Sequence, residues 1–221
     1  MFNIFYKEYL KTRWYSILML IAFLCFTTYA LMRINYILTM KGADHLWNFL
    51  IMKDVVLVEI LEFVPLVGGI ILALVQFMPE MYHKSLKLTL HLPFSPWKMI
   101  NVMLIYGALV MLIVCAINLI VMLLYLHRIL PIELYSRIVL TTIPWHLAGL
   151  AGYFLTSWIC IEPAWRRRIA NIIIASLFMF IYFLSTSAEA YNSFLPLLTI
   201  ATLLTSTFSW LSVARFKEGK E

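Results

Sequence analysis

Two carboxylates lie close together in a segment that is otherwise apolar. Glu59 and Glu62 are three residues apart, so on a helix they occupy neighbouring positions of one face. Ionisable side chains are costly inside a bilayer, and where they occur there they commonly line a substrate path or relay protons. The same pair also suits the outer membrane–water interface, with the membrane-spanning helix beginning near Phe63. The sequence leaves both interpretations open.

A second group of polar side chains occupies residues 79–98, directly after that segment, and begins with Glu80. Its basic members recur at helical spacing on one side, and two leucines lie four residues apart on another. The basic members are His83, Lys84, Lys87 and His91, and the leucines are Leu86 and Leu90. Pro93 and Pro96 end the pattern. It predicts an amphipathic helix of about three turns along a membrane surface, with a solvated basic turn as the alternative.

The motifs of common catalytic and nucleotide-binding sites are absent from the sequence. There is no Gly-x-x-x-x-Gly-Lys-Ser/Thr loop to hold ATP phosphates, no His-Glu-x-x-His and no Gly-x-Ser-x-Gly. The five histidines form no ligand cluster, and the three cysteines lie in apolar runs without paired spacing. We therefore expect no catalytic residue, cofactor or metal in this chain, and do not expect it to be an enzyme.

The composition places these groups in a membrane protein. Of the 221 residues, 63% are hydrophobic and 13% are charged, against about 45–50% and about 25% in soluble domains. A membrane-spanning helix needs about 20 apolar residues, and six such segments follow one another. They are residues 17–38, 55–78, 99–126, 138–161, 169–187 and 194–214. The sequence thus predicts an all-α polytopic protein whose residues 1–221 form a single transmembrane domain.

The distribution of basic residues predicts the orientation of these spans. With the N-terminus inside, twelve of the 17 Lys and Arg residues fall on the inner side and five on the outer side. The positive-inside rule therefore predicts a multi-pass protein of the cell (inner) membrane with both termini cytoplasmic. The basic residues that give the net charge of +6 are thus assigned to membrane topology, and no nucleic acid is expected as a partner.

Two further inner segments carry amphipathic or basic patterns. Residues 2–13 interleave aromatic and aliphatic side chains with Lys7, Glu8 and Lys11, which predicts a short helix lying in the cytoplasmic interface. The alternative is that this segment is the first turn of the following span. Arg166, Arg167 and Arg168 fill the second inner loop, where they either contact a cytoplasmic partner or anchor the chain to lipid phosphates.

The segment after the second span resembles that of ABC type-2 exporter permeases, the transmembrane subunits of ATP-binding cassette transporters. Their pattern is an acidic residue, a leucine-rich helix, Leu-Pro-hydrophobic-Ser and a following Lys. The matching residues are Glu80, Leu86, Leu88, Leu90, Leu92, Pro93, Ser95 and Lys98. The sequence departs from the pattern at His83-Lys84-Ser85, where Gly-Thr is common, and at Pro96-Trp97, where basic residues often follow. The interfacial N-terminal helix, six spans, inner termini and chain length agree with the same family.

The resemblance implies a function for this segment. It would be a coupling helix between spans 2 and 3 that sits in a groove of a cytoplasmic P-loop ATPase subunit. Its residues would be Glu80, Lys84, Leu86, Lys87, Leu90, His91 and Pro93. ATP would bind to the partner subunit, and the permease would pair with a second copy or a similar permease in membrane lipid. The resemblance further implies export of an amphiphilic, lipid-like, peptide or haem-type substrate.

Other functions remain open from the sequence. Within the same family, the haem exporter permease of cytochrome c maturation has nearly this length and number of spans. From another class, a non-transporting membrane scaffold or assembly factor could use the same inner loop to dock a partner. A secondary transporter or a small intramembrane enzyme is a third candidate, but neither inverted repeats nor an obligate midplane charge is visible in the sequence.

Overall fold

The computed structural model describes residues 2–42, 56–82, 96–185 and 187–217, and every regular element in these ranges is helical. Seven α-helices follow in chain order. They are α1 (Phe2–Lys41), α2 (Val64–Tyr82), α3 (Pro96–Ile129), α4 (Ile132–Ile161), α5 (Trp165–Phe180), α6 (Leu195–Thr205) and α7 (Phe208–Lys217). Short 3₁₀ segments cover Glu59–Leu61, Ile181–Phe183 and Asn192–Phe194. The all-helical fold expected from the sequence is therefore observed in the described part of the chain.

Helix α1 is continuous from Phe2 to Lys41, a length of 40 residues. This corrects the prediction of a separate interfacial helix over residues 2–13. The physical reason is that no Gly or Pro interrupts the segment. In addition, Glu8 and Thr12 are fully buried against other helices. The first three turns of α1 are therefore packed into the bundle and do not lie flat beside it.

Helix α4 is the central helix of the bundle. Most of its residues are buried, whereas the other long helices each keep an exposed apolar side. Glycines on both helices lie at the contact between α4 and α2. A Cβ on Gly69 would overlap the carbonyl oxygen of Gly149, and a Cβ on Gly149 would lie 2.6 Å from the carbonyl oxygen of Pro65. Only glycine permits the two helix backbones to approach this closely.

Helices α1 to α6 alternate in direction and α7 continues in the direction of α6, so the bundle has two distinct ends. We call the end that contains the N-terminus the proximal end; it comprises residues 2–13, 76–82, 96–106, 157–168 and 208–217. The opposite or distal end comprises residues 34–42, 56–63, 126–138 and 181–194. Aromatic contacts between helix termini mark both ends of the bundle. At the proximal end the centroids of the Trp97 and Trp210 rings are 4.1 Å apart, and at the distal end the centroids of the stacked Phe63 and Phe183 rings are 4.9 Å apart.

Five helical segments of the described residues are long and apolar enough to cross a membrane. They are Asn3–Lys41, Glu59–Tyr82, Trp97–Ile129, Ile132–Ile161 and Asn192–Val213. These segments correspond to predicted spans 1, 2, 3, 4 and 6. The predicted fifth span, residues 169–187, is not among them. It coincides with α5, which has 16 residues and begins with Trp165 and three arginines, so the composition of this segment is less apolar.

Candidate functional site

A cluster of charged side chains joins α1 to the last turn of α2 at the proximal end. The Lys7 and Lys11 Nζ atoms lie 2.7 and 3.1 Å from Oε1 of Glu80, and Lys11 Nζ is also 3.4 Å from Oε2 of Glu8. Lys7 and Lys11 are one helical turn apart, so α1 presents both ammonium groups to one carboxylate. Glu8 is fully buried and Glu80 is 4% exposed. Carboxylates this deeply buried require a partner of opposite charge.

Hydrogen bonds extend this cluster to α3. The Thr12 and Tyr106 hydroxyls are 2.7 Å apart, and Thr12 also donates to the carbonyl oxygen of Glu8 at 2.9 Å. The Tyr106 ring packs edge-on against Phe5, with 5.3 Å between the ring centroids. The same stretch of α1 thus contacts α2 where that helix ends and α3 near where it begins. Both helices that flank residues 83–95 are thus joined to the same stretch of α1.

A second buried network ties α2, α3 and α4 together near these contacts. The Gln76 side-chain amide donates to the carbonyl oxygen of Met103 at 2.8 Å, and the Tyr153 hydroxyl donates to Oε1 of Gln76 at 2.8 Å. A Cβ on Gly107 would overlap the Tyr153 hydroxyl, so this position accommodates the network only as glycine. Because unsatisfied polar groups are costly in a bilayer, these bonds favour one packing of the three helices.

Of the residues predicted to form the coupling helix, Glu80 is the one that lies within the part of the chain described by the structure. Glu80 lies in the last turn of α2 and is held by the two lysines. The others lie outside the described residues; they are Lys84, Leu86, Lys87, Leu90, His91 and Pro93. The participation of Lys7 and Lys11 was not predicted, because the sequence does not show that residues 7–11 and 80 come together.

The three consecutive arginines that were predicted to lie in the second inner loop belong to the first turn of α5, and they differ in their surroundings. Arg166 and Arg167 are exposed on the first turn of α5. Arg168 is partly buried and donates from a terminal guanidinium nitrogen to the carbonyl oxygen of Glu162 at 2.8 Å. Glu162 is fully buried, accepts a hydrogen bond from the Ser212 hydroxyl, and lies 3.6 Å from Arg215. Arg168 thus helps to join α4 to α5, while Arg166 and Arg167 are the two available to a partner or to lipid.

Glu59 and Glu62 lie at the distal end, before the α-helical part of the second span. Glu59 is in a 3₁₀ turn, Glu62 caps that turn, and α2 begins at Val64. Both residues line a cavity of about 120 Å³, which is formed with α4 and with Ser185, Ser187, Glu189, Ala190 and Tyr191. Glu189 lines the same cavity. Sequence reasoning missed Glu189 because only the fold brings its loop, 127 residues further along the chain, next to Glu62.

The described residues contain no group of three or more His, Cys, Asp or Glu side chains arranged to hold a metal ion. Their cysteines are unpaired: Cys25 is exposed, and Cys115 and Cys160 are buried. No family model, curated protein or solved structure matches this chain.

Proposed function

We propose that this chain is the membrane-spanning permease subunit of an ABC transporter of the type-2 exporter class. It would couple ATP hydrolysis by a separate cytoplasmic ATPase to export of an amphiphilic, lipid-like, peptide or haem-type substrate. The observation that carries the proposal is the segment 79–98. Its sequence has the leucine-rich, Pro-terminated pattern of a coupling helix, and the helices on both sides of it are fastened to the same stretch of α1.

The attachment is what a coupling segment needs in order to transmit force. A partner that displaces residues 83–95 would move the end of α2 and the start of α3 together, since Lys7, Lys11 and Thr12 link both to α1. Glu80 is 4% exposed and would lose its ion pairs if α1 and the end of α2 separated, so the linkage would resist separation during a displacement driven by ATP binding. Rigid-body movement of packed helices is a common way for a local change to propagate through a protein.

Six spans with the proximal end in the cytoplasm complete the proposal. The apolar part of α5 and its 3₁₀ extension runs from Ile169 to Phe183, a length of about 22 Å at the α-helical rise. This is shorter than the about 30 Å hydrocarbon core, so a sixth span here would require local thinning of the bilayer or snorkelling of the flanking arginines. Arg168 contacts Glu162 at the proximal end, and Phe183 stacks on Phe63 at the distal end. The exposed Arg166 and Arg167 would reach lipid phosphates by extending along the membrane interface.

A pair of such chains would form the translocation unit. Six helices are few for a translocation path, and the family that the sequence resembles places the path between two permeases. We therefore propose a dimer, with a second copy or a similar permease, above two ATPase subunits. The exposed apolar sides of α1, α5 and α6 supply surface for this pairing and for lipid.

The proposal is tested by purifying the affinity-tagged chain in mild detergent from membranes of the source cells. We expect a P-loop ATPase to co-purify and to give vanadate-sensitive ATP hydrolysis. Replacing Leu86 and Leu90 together with Asp should remove both, because it puts two charges where a desolvated contact is expected. The control is Ile132→Asp, a similar change at an exposed residue of the distal end, which should leave the association intact.

Two outcomes would overturn the proposal. One is a well-folded preparation in which no ATPase associates with the unmodified chain. The other is an ATPase that stays bound and equally active when both leucines are replaced. Recovery of a different partner, without ATP hydrolysis, would favour the alternative function of a membrane scaffold or assembly factor.

A further inference from the structure

The Glu62 carboxylate stands at the border of two spaces at the distal end. On one side is the cavity of about 120 Å³ that it lines with Glu59, Glu189, Trp145 and Tyr191. On the other side is a groove of about 610 Å³ between α2, α4 and α5, which Glu62 also lines. Glu62 is the residue that the linings of these two spaces share. A cavity lined by three acidic residues and an apolar groove thus share one residue, Glu62.

The cavity has the chemistry of a site for a positively charged group. Three carboxylates line it, and in the described part of the chain none of them has a basic side chain within 4.0 Å. Arg137 lines a smaller recess that shares Val56 and Thr141 with the cavity, and it is engaged in an interaction of its own. The aromatic side chains of Trp145 and Tyr191 add surfaces that attract cations.

The cavity is fixed in place and large enough for a small cationic group. The Tyr191 hydroxyl donates to the carbonyl oxygen of Ile181 at 3.1 Å and accepts from the Ser185 amide at 3.0 Å. The Glu189 amide donates to the Thr141 hydroxyl at 3.2 Å, which joins the loop to α4. A water molecule requires about 10–15 Å³ of such a volume, so about 120 Å³ accommodates a group several times larger.

The groove has the chemistry of a site for an alkyl chain. Its lining is almost entirely apolar, with Leu66 and Ile70 from α2, Leu155 and Ile159 from α4, and Met179 and Phe180 from α5. Phe180 is 64% exposed, so the groove opens at the side of the bundle that faces lipid. Along α5 it extends from Ile172 to Phe183, roughly 16 Å at the α-helical rise.

We propose that the cavity and groove together form a binding site for a single-chain amphiphile with a cationic head group. The head group would lie among Glu59, Glu62 and Glu189, and the alkyl chain would lie in the groove between α2 and α5. Charge complementarity selects this occupant over the zwitterionic and anionic lipids of a bilayer, because uncompensated carboxylates attract a cation and repel a phosphate. The site lies at the distal end, away from the coupling segment, and binding to it requires neither ATP nor an ATPase subunit.

The test is equilibrium binding of radiolabelled hexadecyltrimethylammonium to the purified full chain in phosphatidylcholine nanodiscs. Empty nanodiscs measure partition into lipid, which is subtracted. We expect saturable binding to the protein that unlabelled hexadecyltrimethylammonium displaces and palmitate, which has a chain of the same length and the opposite charge, does not. Replacing Glu59, Glu62 and Glu189 together with Gln should weaken binding about tenfold or more, because three ionic attractions are lost.

Two matched variants separate the head-group cavity from the groove and from general surface charge. Glu133→Gln removes an exposed carboxylate of the distal end that does not line the cavity, and it should bind as the unmodified chain does. Ser176→Phe adds a ring at an exposed position of the groove lining while keeping all three carboxylates, and it should also weaken binding. If the triple variant does not fold, Glu62→Gln alone takes its place.

Three results would overturn the inference. They are the absence of saturable binding to the unmodified chain, displacement by palmitate as effective as by the cation, and unchanged affinity after the carboxylates are neutralised. Each is independent of whether an ATPase co-purifies, so a failure of this site is distinguishable from a failure of the proposed transport function.

Discussion

Lys7 and Lys11 lie one turn apart on α1, but their contacts predict unequal contributions to the free energy of unfolding. Lys11 lies 3.1 Å from Glu80 and 3.4 Å from Glu8, and its side chain is 19% exposed. Lys7 contacts Glu80 at 2.7 Å, and its side chain is 45% exposed. We therefore predict that Lys11→Met destabilises the protein much more than Lys7→Met, although both remove one ammonium group from the same carboxylate.

The expected magnitudes follow from burial. Lys11→Met leaves Glu8, which is fully buried, without the ion pair it has in the described part of the chain. Removing one member of a buried pair costs about 3–5 kcal/mol. Lys7→Met removes a half-exposed partner, worth about 0–1 kcal/mol, and Lys11 stays on Glu80. The free energies of unfolding of the two variants should therefore differ by about 2–5 kcal/mol.

The assay is reversible unfolding of the full chain in mixed micelles with increasing dodecyl sulfate, followed by circular dichroism. A second variant tests the cause: Glu8→Gln in the Lys11→Met background should restore part of the lost stability, because a neutral amide does not require a cation. Equal losses for the two lysine variants would refute this explanation. So would strictly additive effects of Glu8→Gln and Lys11→Met.

Three further predictions concern the helix crossing, the topology and the second inner loop. Gly149→Ala should destabilise the bundle by several kcal/mol in the same unfolding assay, because its Cβ meets the carbonyl oxygen of Pro65 in the α2 backbone. The control, Gly152→Ala, should cost less than about 1 kcal/mol, because its Cβ meets the Leu66 side chain, which can move. In a cysteine-free background, a membrane-impermeant thiol reagent should label Arg166→Cys only from the cytoplasm and Glu59→Cys only from outside; labelling of both from one side would contradict the six-span topology. Glu162→Leu should lower stability by about 1–3 kcal/mol, because it leaves the buried Ser212 hydroxyl of α7 without its acceptor and removes the ionic partner of Arg215; a midpoint unchanged from that of the unmodified chain would contradict this role.

Composition and hydropathy were sufficient to predict the helical class and the positions of five long apolar segments. They were less informative where packing decides the structure. The residues 2–13 have the alternating pattern of an interfacial helix, but Glu8 and Thr12 are the residues buried against α2 and α3. A polar side chain that faces other helices gives the same periodicity as one that faces water, so the sequence cannot distinguish the two arrangements.

The candidate site residues were predictable only where they are close in sequence. The spacing of Glu59 and Glu62 is local, and the structure places both just before the α-helix that begins at Val64. Glu189 and the Lys7–Lys11 pair are brought to their partners by the fold, over separations of more than 60 residues. A single sequence carries no signal for such contacts, because hydropathy and local spacing do not encode which helices are neighbours.

The central claim, that residues 83–95 contact an ATPase, is tested most directly by photo-cross-linking from within that segment. A photoreactive amino acid replaces Lys87 in the full chain, the cells are irradiated, and the adducts are identified by mass spectrometry, with the same amino acid at Ile132 as the control. The proposal predicts an adduct between position 87 and a P-loop ATPase that disappears when Leu86 and Leu90 are replaced with Asp, and no such adduct from position 132. A folded, membrane-inserted chain whose position 87 reacts only with lipid or with proteins lacking an ATP-binding site would contradict it.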